Sequence, residues 1–151
     1  MKTISNERKK QLQESFNRSK MMELFGAEVT GIGEGYFEIT VAKQEFMARP
    51  AGMFNGSTIA TLVDVSSGYA GASAKPKDSY FTTVELKVNY LNPAFGEQLV
   101  AKAQVVKNGK MLTVVRSDVF SITNKGEEPL AATSLVTLMQ LSKKAPDKQI
   151  D

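Results

Sequence analysis

The sequence predicts an α+β domain in which one curved antiparallel sheet wraps around a long central helix. The segment from Ser57 to about Ala74 has a helical pattern that is apolar nearly all round, which is typical of a buried helix. Four segments of strand character follow it, at residues 80–91, 97–107, 111–123 and 129–141. Short turns between consecutive strands indicate antiparallel pairing, and such a sheet must bury one face. We therefore expect four hairpin-linked strands packed on the helix.

Two turn signals and the N-terminal third complete this prediction. Asn108-Gly109 is a strong hairpin signal, and residues 124–126 (Asn-Lys-Gly) are a second one. Residues 5–25 predict an amphipathic helix that is capped by Ser5 and stopped by Gly26. Residues 27–42 predict two strands or one bent strand, because glycines interrupt the alternation. A loop rich in turn residues separates them from the central helix.

The chain length fits one domain. Its 151 residues contain no internal repeat and no linker long enough to divide it. We predict an N-terminal helix over residues 1–26, the main α+β domain over 27–141, and a flexible tail over 142–151.

The composition excludes several kinds of chemistry. The chain has neither cysteine nor histidine. Disulfides, thiolate nucleophiles and cysteine-bound zinc are therefore excluded. So are Ser-His-Asp and Cys-His hydrolases, histidine-ligated metal sites and an imidazole base. Any chemistry must use carboxylates, hydroxyls, amides, lysines or backbone N–H groups.

The net charge of +3 is small, and the basic residues are interspersed with acidic ones. The favoured interpretation of the basic excess is that it solvates the surface, and the alternative is a basic rim that attracts a phosphorylated ligand. No motif indicates nucleic-acid binding. The N-terminus lacks the apolar core of a signal peptide, and no apolar run is long enough to span a membrane. We expect a cytoplasmic protein.

Asp64 is the residue that most needs an explanation. It lies in the middle of the most apolar helix, where a carboxylate costs free energy unless it is hydrogen-bonded, paired or used. One interpretation is a structural aspartate that is bonded at a subunit contact. The other is a general base or nucleophile whose pKa is raised by burial. The residue pattern by itself leaves both open.

The start of the same helix is the second candidate feature. The first turn of a helix presents N–H groups that have no intrahelical partner, and Gly56 would let a ligand oxygen approach them, as in an oxyanion hole. Capping by Asn55 or Ser57 is the simpler interpretation and, for this feature alone, the favoured one. Asp64 lies about 12 Å further along the axis, so one subunit cannot bring Asp64 beside its own Gly56. A symmetric dimer could supply each from a different chain.

Two segments carry a resemblance to a known family. The stretch GMFNGSTIATLVDVSSGYA, followed by TTVELKVNYLNPAFGE, resembles the PaaI-like acyl-CoA thioesterases of the hotdog fold. Their usual pattern is Gly-x-x-His-Gly-Gly, an apolar helix with Leu-x-Asp, and a strand that ends near Tyr-x-x-Pro-Ala. The resemblance covers about residues 27–141. It implies a homodimer with two composite active sites, often paired again into a tetramer, that hydrolyses an acyl-CoA thioester without a metal or cofactor.

The resemblance also implies roles for individual residues. Asp64 would act as the acid/base or nucleophile, and the Gly56 N–H would polarise the thioester carbonyl. Thr83 matches a hydroxyl that assists the attacking water, although an ordinary strand threonine is an equally good interpretation. Other positions match contacts to coenzyme A: Glu85, Tyr90, Lys107, Asn108, Gly109, Lys110, Met111 and Leu112.

Three positions depart from the family pattern. Asn55 stands where the family usually has histidine, Ser57 where it often has a second glycine, and Arg49 where a polar residue, often asparagine, precedes the motif. The amide of Asn55 can still donate a hydrogen bond but cannot become cationic. Thioester hydrolysis is the function that we predict. A non-catalytic acyl-CoA-binding protein is the alternative, and an oligomer with a vestigial pocket is a third possibility.

Overall fold

The fold was analysed in a computed structural model that describes residues 2–141. The predicted tail over 142–151 lies outside the described residues. The elements follow one another in the predicted sequence of types, and the 27–42 segment forms two strands. In chain order they are α1 (Asn6–Asn17), α2 (Lys20–Phe25), β1 (Glu28–Gly33), β2 (Tyr36–Ala42), a 3₁₀ turn (Glu45–Met47), α3 (Gly56–Ser73), β3 (Tyr80–Tyr90), β4 (Gln98–Asn108), β5 (Leu112–Ile122) and β6 (Leu130–Leu141).

The prediction of one continuous N-terminal helix is wrong, because α1 and α2 are separate. The Ser5 hydroxyl caps α1, as predicted, and Gly26 ends α2 in the left-handed conformation at φ 60°. The break lies at Ser19, whose backbone is extended and whose hydroxyl accepts a hydrogen bond from the Met22 N–H. A second capping serine therefore starts a new helix inside the predicted one.

The sheet is antiparallel with strand order β1-β2-β4-β5-β6-β3. The two predicted hairpins, β4–β5 and β5–β6, are confirmed. The expected hairpin between β3 and β4 is wrong: β3 pairs with β6, and β4 pairs with β2. The connecting residues 91–97 are too many for a tight turn. They are bonded elsewhere, since Ala94 O accepts from Phe54 N and Glu97 N donates to Ile122 O. This crossover leaves β3 at an edge of the sheet.

The central helix α3 packs against the sheet and contacts each of its six strands, as the apolar pattern predicts. Ile59, Leu62 and Val63 are among its buried side chains, and they contribute to one continuous core with residues of the sheet. Helix α1 covers part of the remaining side, where Phe16 packs edge-on against Tyr69 at 5.6 Å between ring centroids. Tyr69 in turn stacks on Phe37 of β2 at 4.8 Å. The stripe of α3 that α1 and the sheet leave partly uncovered carries Asp64.

Within residues 2–141, none of the helices has both the length and the apolar character that crossing a membrane requires.

Candidate active site

Strand β3 runs beside α3 and is bonded to it at two points. The Thr83 hydroxyl donates a hydrogen bond to Asp64 Oδ1 at 2.7 Å. The Tyr90 hydroxyl donates to the Gly56 carbonyl oxygen at 2.9 Å. Because the chain position rises along β3 as it falls along α3, the two elements are antiparallel. Four of the predicted site residues are thus brought together as two pairs at separate points of one strand.

A β-bulge makes both contacts possible. The β3–β6 register shifts between Thr83 and Glu85, so Val84 has no partner on β6. Side chains alternate along a strand, and Thr83 and Tyr90 are seven residues apart, so a regular strand would point them to opposite faces. The extra residue at Val84 shifts the alternation by one position, so the side chains of Thr83 and Tyr90 both face α3. Glu85 pairs with Thr137 on the outer face, away from the other predicted site residues.

The expectation that Asp64 lies buried in an apolar core is wrong for the single chain. Its neighbours Leu62 and Val63 are fully buried, but Asp64 is partly exposed. The reason is its position on the uncovered stripe of α3. Gly68 follows one turn later on that stripe, and a Cβ built on it would meet no atom within 4 Å. The carboxylate therefore borders open space and is held by Thr83.

The start of α3 presents backbone N–H groups without a side-chain cap. Asn55 is the N-cap by position, yet its side chain makes no capping hydrogen bond and instead donates to Phe46 O at 3.4 Å. Ser57 is already helical. The favoured interpretation of capping by either side chain is therefore wrong. The Asn55 carbonyl accepts from Thr58 N and more weakly from Ile59 N. The N–H of Gly56, which precedes both, has no acceptor within the helix.

A cavity of about 330 Å³ opens at this end of α3. Gly56, Tyr90, Asn92 and Arg49 are on its wall, together with apolar side chains. Asp64 does not line it, which agrees with the spacing of about 12 Å along the helix. One chain therefore holds a carboxylate with a hydroxyl and, apart from them, a helix N-terminus with a cavity.

The predicted coenzyme A turn lies at the opposite end of α3. Asn108 Nδ2 donates to Ala74 O at 3.0 Å, and Lys75 Nζ donates to Gly109 O. The remaining members of the turn are exposed to solvent, namely Lys107, Lys110, Met111 and Leu112. The turn is thus separated from Gly56 of its own chain by the length of the helix.

Sequence reasoning missed three features of this region. The bond from Tyr90 to the Gly56 carbonyl and the place of Arg49 on the cavity wall both depend on the fold. The open space at Gly68 could have been predicted from the sequence, because a glycine four residues after a candidate carboxylate lies on the same helix face and leaves room beside the carboxylate.

Comparison with known proteins decides the family. The family model described as the thioesterase superfamily matches residues 51–127, about half of the chain. The chain belongs to the thioesterase superfamily. The match includes α3, Asp64 and β3, so both halves of the candidate site lie within the family's own segment.

Relatives of this superfamily member support the same assignment. A crystal structure of a thioesterase family protein from Silicibacter pomeroyi is 33% identical, with a TM-score of 0.85 over 89% of this chain and 98% of that one. A Saccharolobus solfataricus protein that is named provisionally as an esterase is 27% identical over 84% of this chain and 81% of its own length. These names support thioester hydrolysis as the general activity.

The hotdog fold and the PaaI-like resemblance are confirmed. The Escherichia coli PaaI protein from the phenylacetic acid degradation operon superposes with a TM-score of 0.80 over 93% of this chain and 98% of that one. At 17% identity it shows the fold alone.

Proposed function

We propose that this chain forms a homodimer with two composite sites that hydrolyse an acyl-CoA thioester. The observation that carries the proposal is the division of the site along β3. Asp64 with Thr83 marks one point of this strand, and Gly56 with Tyr90 marks another. Neither half completes the other within one chain, but a second copy related by a two-fold axis would supply the missing half to each.

The edge position of β3 supports this dimer. On the side away from β6 the strand has no neighbour among the described residues, and it exposes about half of the Val84 and Tyr90 side chains. Unpaired strand edges with apolar side chains favour pairing with another strand. An antiparallel pair that sets Thr83 opposite Tyr90 of the partner subunit would place Asp64 near the partner subunit's Gly56. Its two-fold axis would pass between Leu86 and Lys87.

The chemistry follows from this arrangement. The thioester oxygen would accept a hydrogen bond from the Gly56 N–H, where the positive end of the helix dipole stabilises the charge that develops on oxygen. Asp64 of the other chain would either take a proton from the attacking water or attack the carbonyl carbon itself. Thr83 would hold the carboxylate in place. With Asp64 as base, collapse of the tetrahedral intermediate breaks the carbon–sulfur bond, and the CoA thiolate takes the proton that Asp64 holds. With Asp64 as nucleophile, the carbon–sulfur bond breaks to leave an acyl-aspartyl anhydride, and its hydrolysis by water regenerates Asp64, releases the acid and supplies the proton of the CoA thiol.

The first test is a panel of acyl-CoA esters with detection of the released thiol. We expect hydrolysis of at least one ester by the wild-type dimer and a loss on the order of a hundredfold or more in Asp64→Asn. Saturable acyl-CoA binding without CoA release from any ester would instead favour the non-catalytic alternative. An unchanged rate in Asp64→Asn would remove Asp64 from the mechanism.

Mixing two inactive variants tests whether the site is composite. Asp64→Asn inactivates the carboxylate half of the site, and Gly56→Pro, which removes the N–H, inactivates the oxyanion half. After subunit exchange half of the dimers contain one chain of each kind, and each of these has one intact site. The mixture should therefore regain about a quarter of the wild-type activity. A mixture no more active than its two components would contradict a site shared between subunits.

A further inference from the structure

A second cavity lies beside the C-terminal half of α3 and has a cationic lining. Its volume is about 410 Å³, within the range of small-molecule sites, and it is bounded by α1, α3 and the start of β3. Arg8, Arg18 and Lys77 line this cationic cavity, whereas its lining residues include no aspartate or glutamate. The other polar side chains on its wall are neutral, namely Gln11, Ser15, Tyr69, Ser79 and Tyr80. Such a lining suits an anionic ligand.

The three cations have no partner carboxylate in the part of the chain that is described. Across residues 2–141, the ion pairs within 4.0 Å involve other lysines and none of these three side chains. Arg8 is held in place because its Nη2 donates to Ala72 O at 2.6 Å and more weakly to Lys75 O. Burial lowers the pKa of the Arg8 guanidinium, an effect that Asp78 partly offsets. A partly buried cation that is fixed on backbone carbonyls would be stabilised by an anion that enters the cavity.

The stripe of α3 that carries Asp64 leads to these cations. Asp64 is followed at steps of four, four and three residues by Gly68, Ala72 and Lys75, so all four lie on one face of the helix. At 1.5 Å per residue, the two carbonyls that hold Arg8 lie about 12 and 16.5 Å along the axis from Asp64. A Cβ built on Gly68 would meet no atom within 4 Å, so the stripe is open between the carboxylate and the cavity.

This distance matches the length of the pantetheine arm of coenzyme A. About thirteen bonds join the thioester sulfur to the nearer phosphorus of the pyrophosphate, which gives about 16 Å for an extended arm at roughly 1.25 Å of advance per bond. An arm that starts at Asp64 therefore reaches the point where Arg8 is anchored. A carboxylate on the acyl group would need a chain of about ten carbons to span even the shorter distance, whereas every acyl-CoA carries its phosphates at the required length.

The cavity at the Gly56 end of α3 has the opposite character. Most of its lining is apolar, and Arg49 is its one charged member. In the dimer proposed above, Thr83 faces Tyr90 of the partner subunit. The start of β3 then comes opposite the segment that follows β3 in the partner, and this segment lines the apolar cavity. Asp64 would thus lie between the cationic cavity of its own chain and the apolar cavity of its partner.

Resting on the function proposed above, we infer that the cationic cavity binds the phosphates of coenzyme A and so sets the direction in which the substrate lies across the composite site. The pantetheine arm follows the Asp64 stripe past Gly68, and the phosphates face Arg8, Arg18 and Lys77. The acyl group points the other way, into the apolar cavity beside the partner subunit's Gly56. The chain that supplies the carboxylate therefore also binds the nucleotide end of the substrate.

The test compares two thioesters of the acyl group that wild type hydrolyses fastest: the CoA ester and the N-acetylcysteamine ester, which keeps the thioester end of the arm but has no phosphate. In the cavity variant, Arg18→Gln/Lys77→Gln, the KM for the CoA ester should rise roughly tenfold with little change in kcat, because two exposed ion pairs are lost. The kcat/KM for the N-acetylcysteamine ester should equal that of wild type. Both side chains are exposed, so the change should leave the fold intact. Lys125→Gln, at an exposed turn position, is the matched control and should behave as wild type.

The same kinetics on Lys107→Gln/Lys110→Gln measure the rival site, the turn that the resemblance assigns to coenzyme A. A higher KM for the CoA ester in this turn variant, with an unchanged KM in the cavity variant, would overturn the inference in favour of the turn. An equal loss on both esters in the cavity variant would also overturn it, because the cations would then act on the acyl group or on the reacting atoms instead of the phosphates.

Calorimetry with free coenzyme A and with pantetheine, which lacks the phosphates, separates the phosphate site from the proposed function. Wild type should bind coenzyme A more tightly than pantetheine, and the cavity variant should lose most of this difference. If no ester of the panel is hydrolysed but this pattern of binding is found, thioester hydrolysis is overturned and the phosphate site stands. Equal affinity of wild type and the cavity variant for coenzyme A would overturn the phosphate site, whatever the rate of hydrolysis.

Discussion

Replacing Gly56 by proline tests whether the N–H of this residue stabilises the thioester oxygen. Gly56 is the first residue of α3, the helical position that tolerates proline best. The preceding Asn55 has φ −62° and ψ 141°, the extended conformation that a residue before proline prefers. Gly56→Pro should therefore preserve the helix and remove the N–H that we assign to the thioester oxygen.

The expected magnitude follows from the loss of one preorganised donor. Removing such a donor lowers kcat by about a hundredfold to a thousandfold, or about 2.7–4 kcal/mol of transition-state stabilisation. Gly56→Ala is the matched control, because its Cβ meets the Tyr90 ring at the same 3.2 Å while the N–H remains. We expect alanine to cost much less than proline.

Steady-state kinetics on the best acyl-CoA ester, with thermal unfolding of each variant, would measure this difference. Similar melting temperatures and a large gap in kcat between the two variants are the expected result. Equal kcat values for alanine and proline would refute the assignment, since proline lacks the amide hydrogen that alanine keeps and carries a ring carbon in its place. A proline variant that loses its dimer would be recognised by size-exclusion chromatography.

Two further predictions concern side chains of the site and of α3. Thr83→Val should lower kcat about tenfold, because Asp64 loses the hydrogen bond from the Thr83 hydroxyl. Thr83→Ser keeps a hydroxyl and should retain most of the activity. Equal rates in the two variants would argue for a merely structural threonine. Ser67 is fully buried, and its hydroxyl has no hydrogen-bond partner within residues 2–141, so Ser67→Ala should raise the free energy of unfolding in urea by about 1 kcal/mol. Ser66→Ala should lower the free energy of unfolding by about 1–3 kcal/mol, because the substitution leaves the buried Ser117 hydroxyl without its partner at 3.0 Å. A change of the same sign in the free energy of unfolding for both serine variants would contradict this reasoning.

Local patterns in the sequence determined the elements of this fold. The apolar pattern of α3, the hairpin at Asn108-Gly109 and the caps at Ser5 and Gly26 each depend on neighbours within a few residues, and all four are confirmed. The absence of cysteine and histidine restricts the possible chemistry whatever the fold. Asp64 stood out for the same local reason, as a carboxylate in an apolar helix.

Tertiary structure decided what those elements do together. Whether β3 pairs with β4 or with β6 depends on contacts between residues far apart in the chain, which no local pattern records. The bulge at Val84 sets the phase that turns both Thr83 and Tyr90 toward α3, and the exposure of Asp64 depends on which stripe of that helix the sheet leaves open. Periodicity specifies that a face is buried, whereas packing in three dimensions selects the partner that buries it.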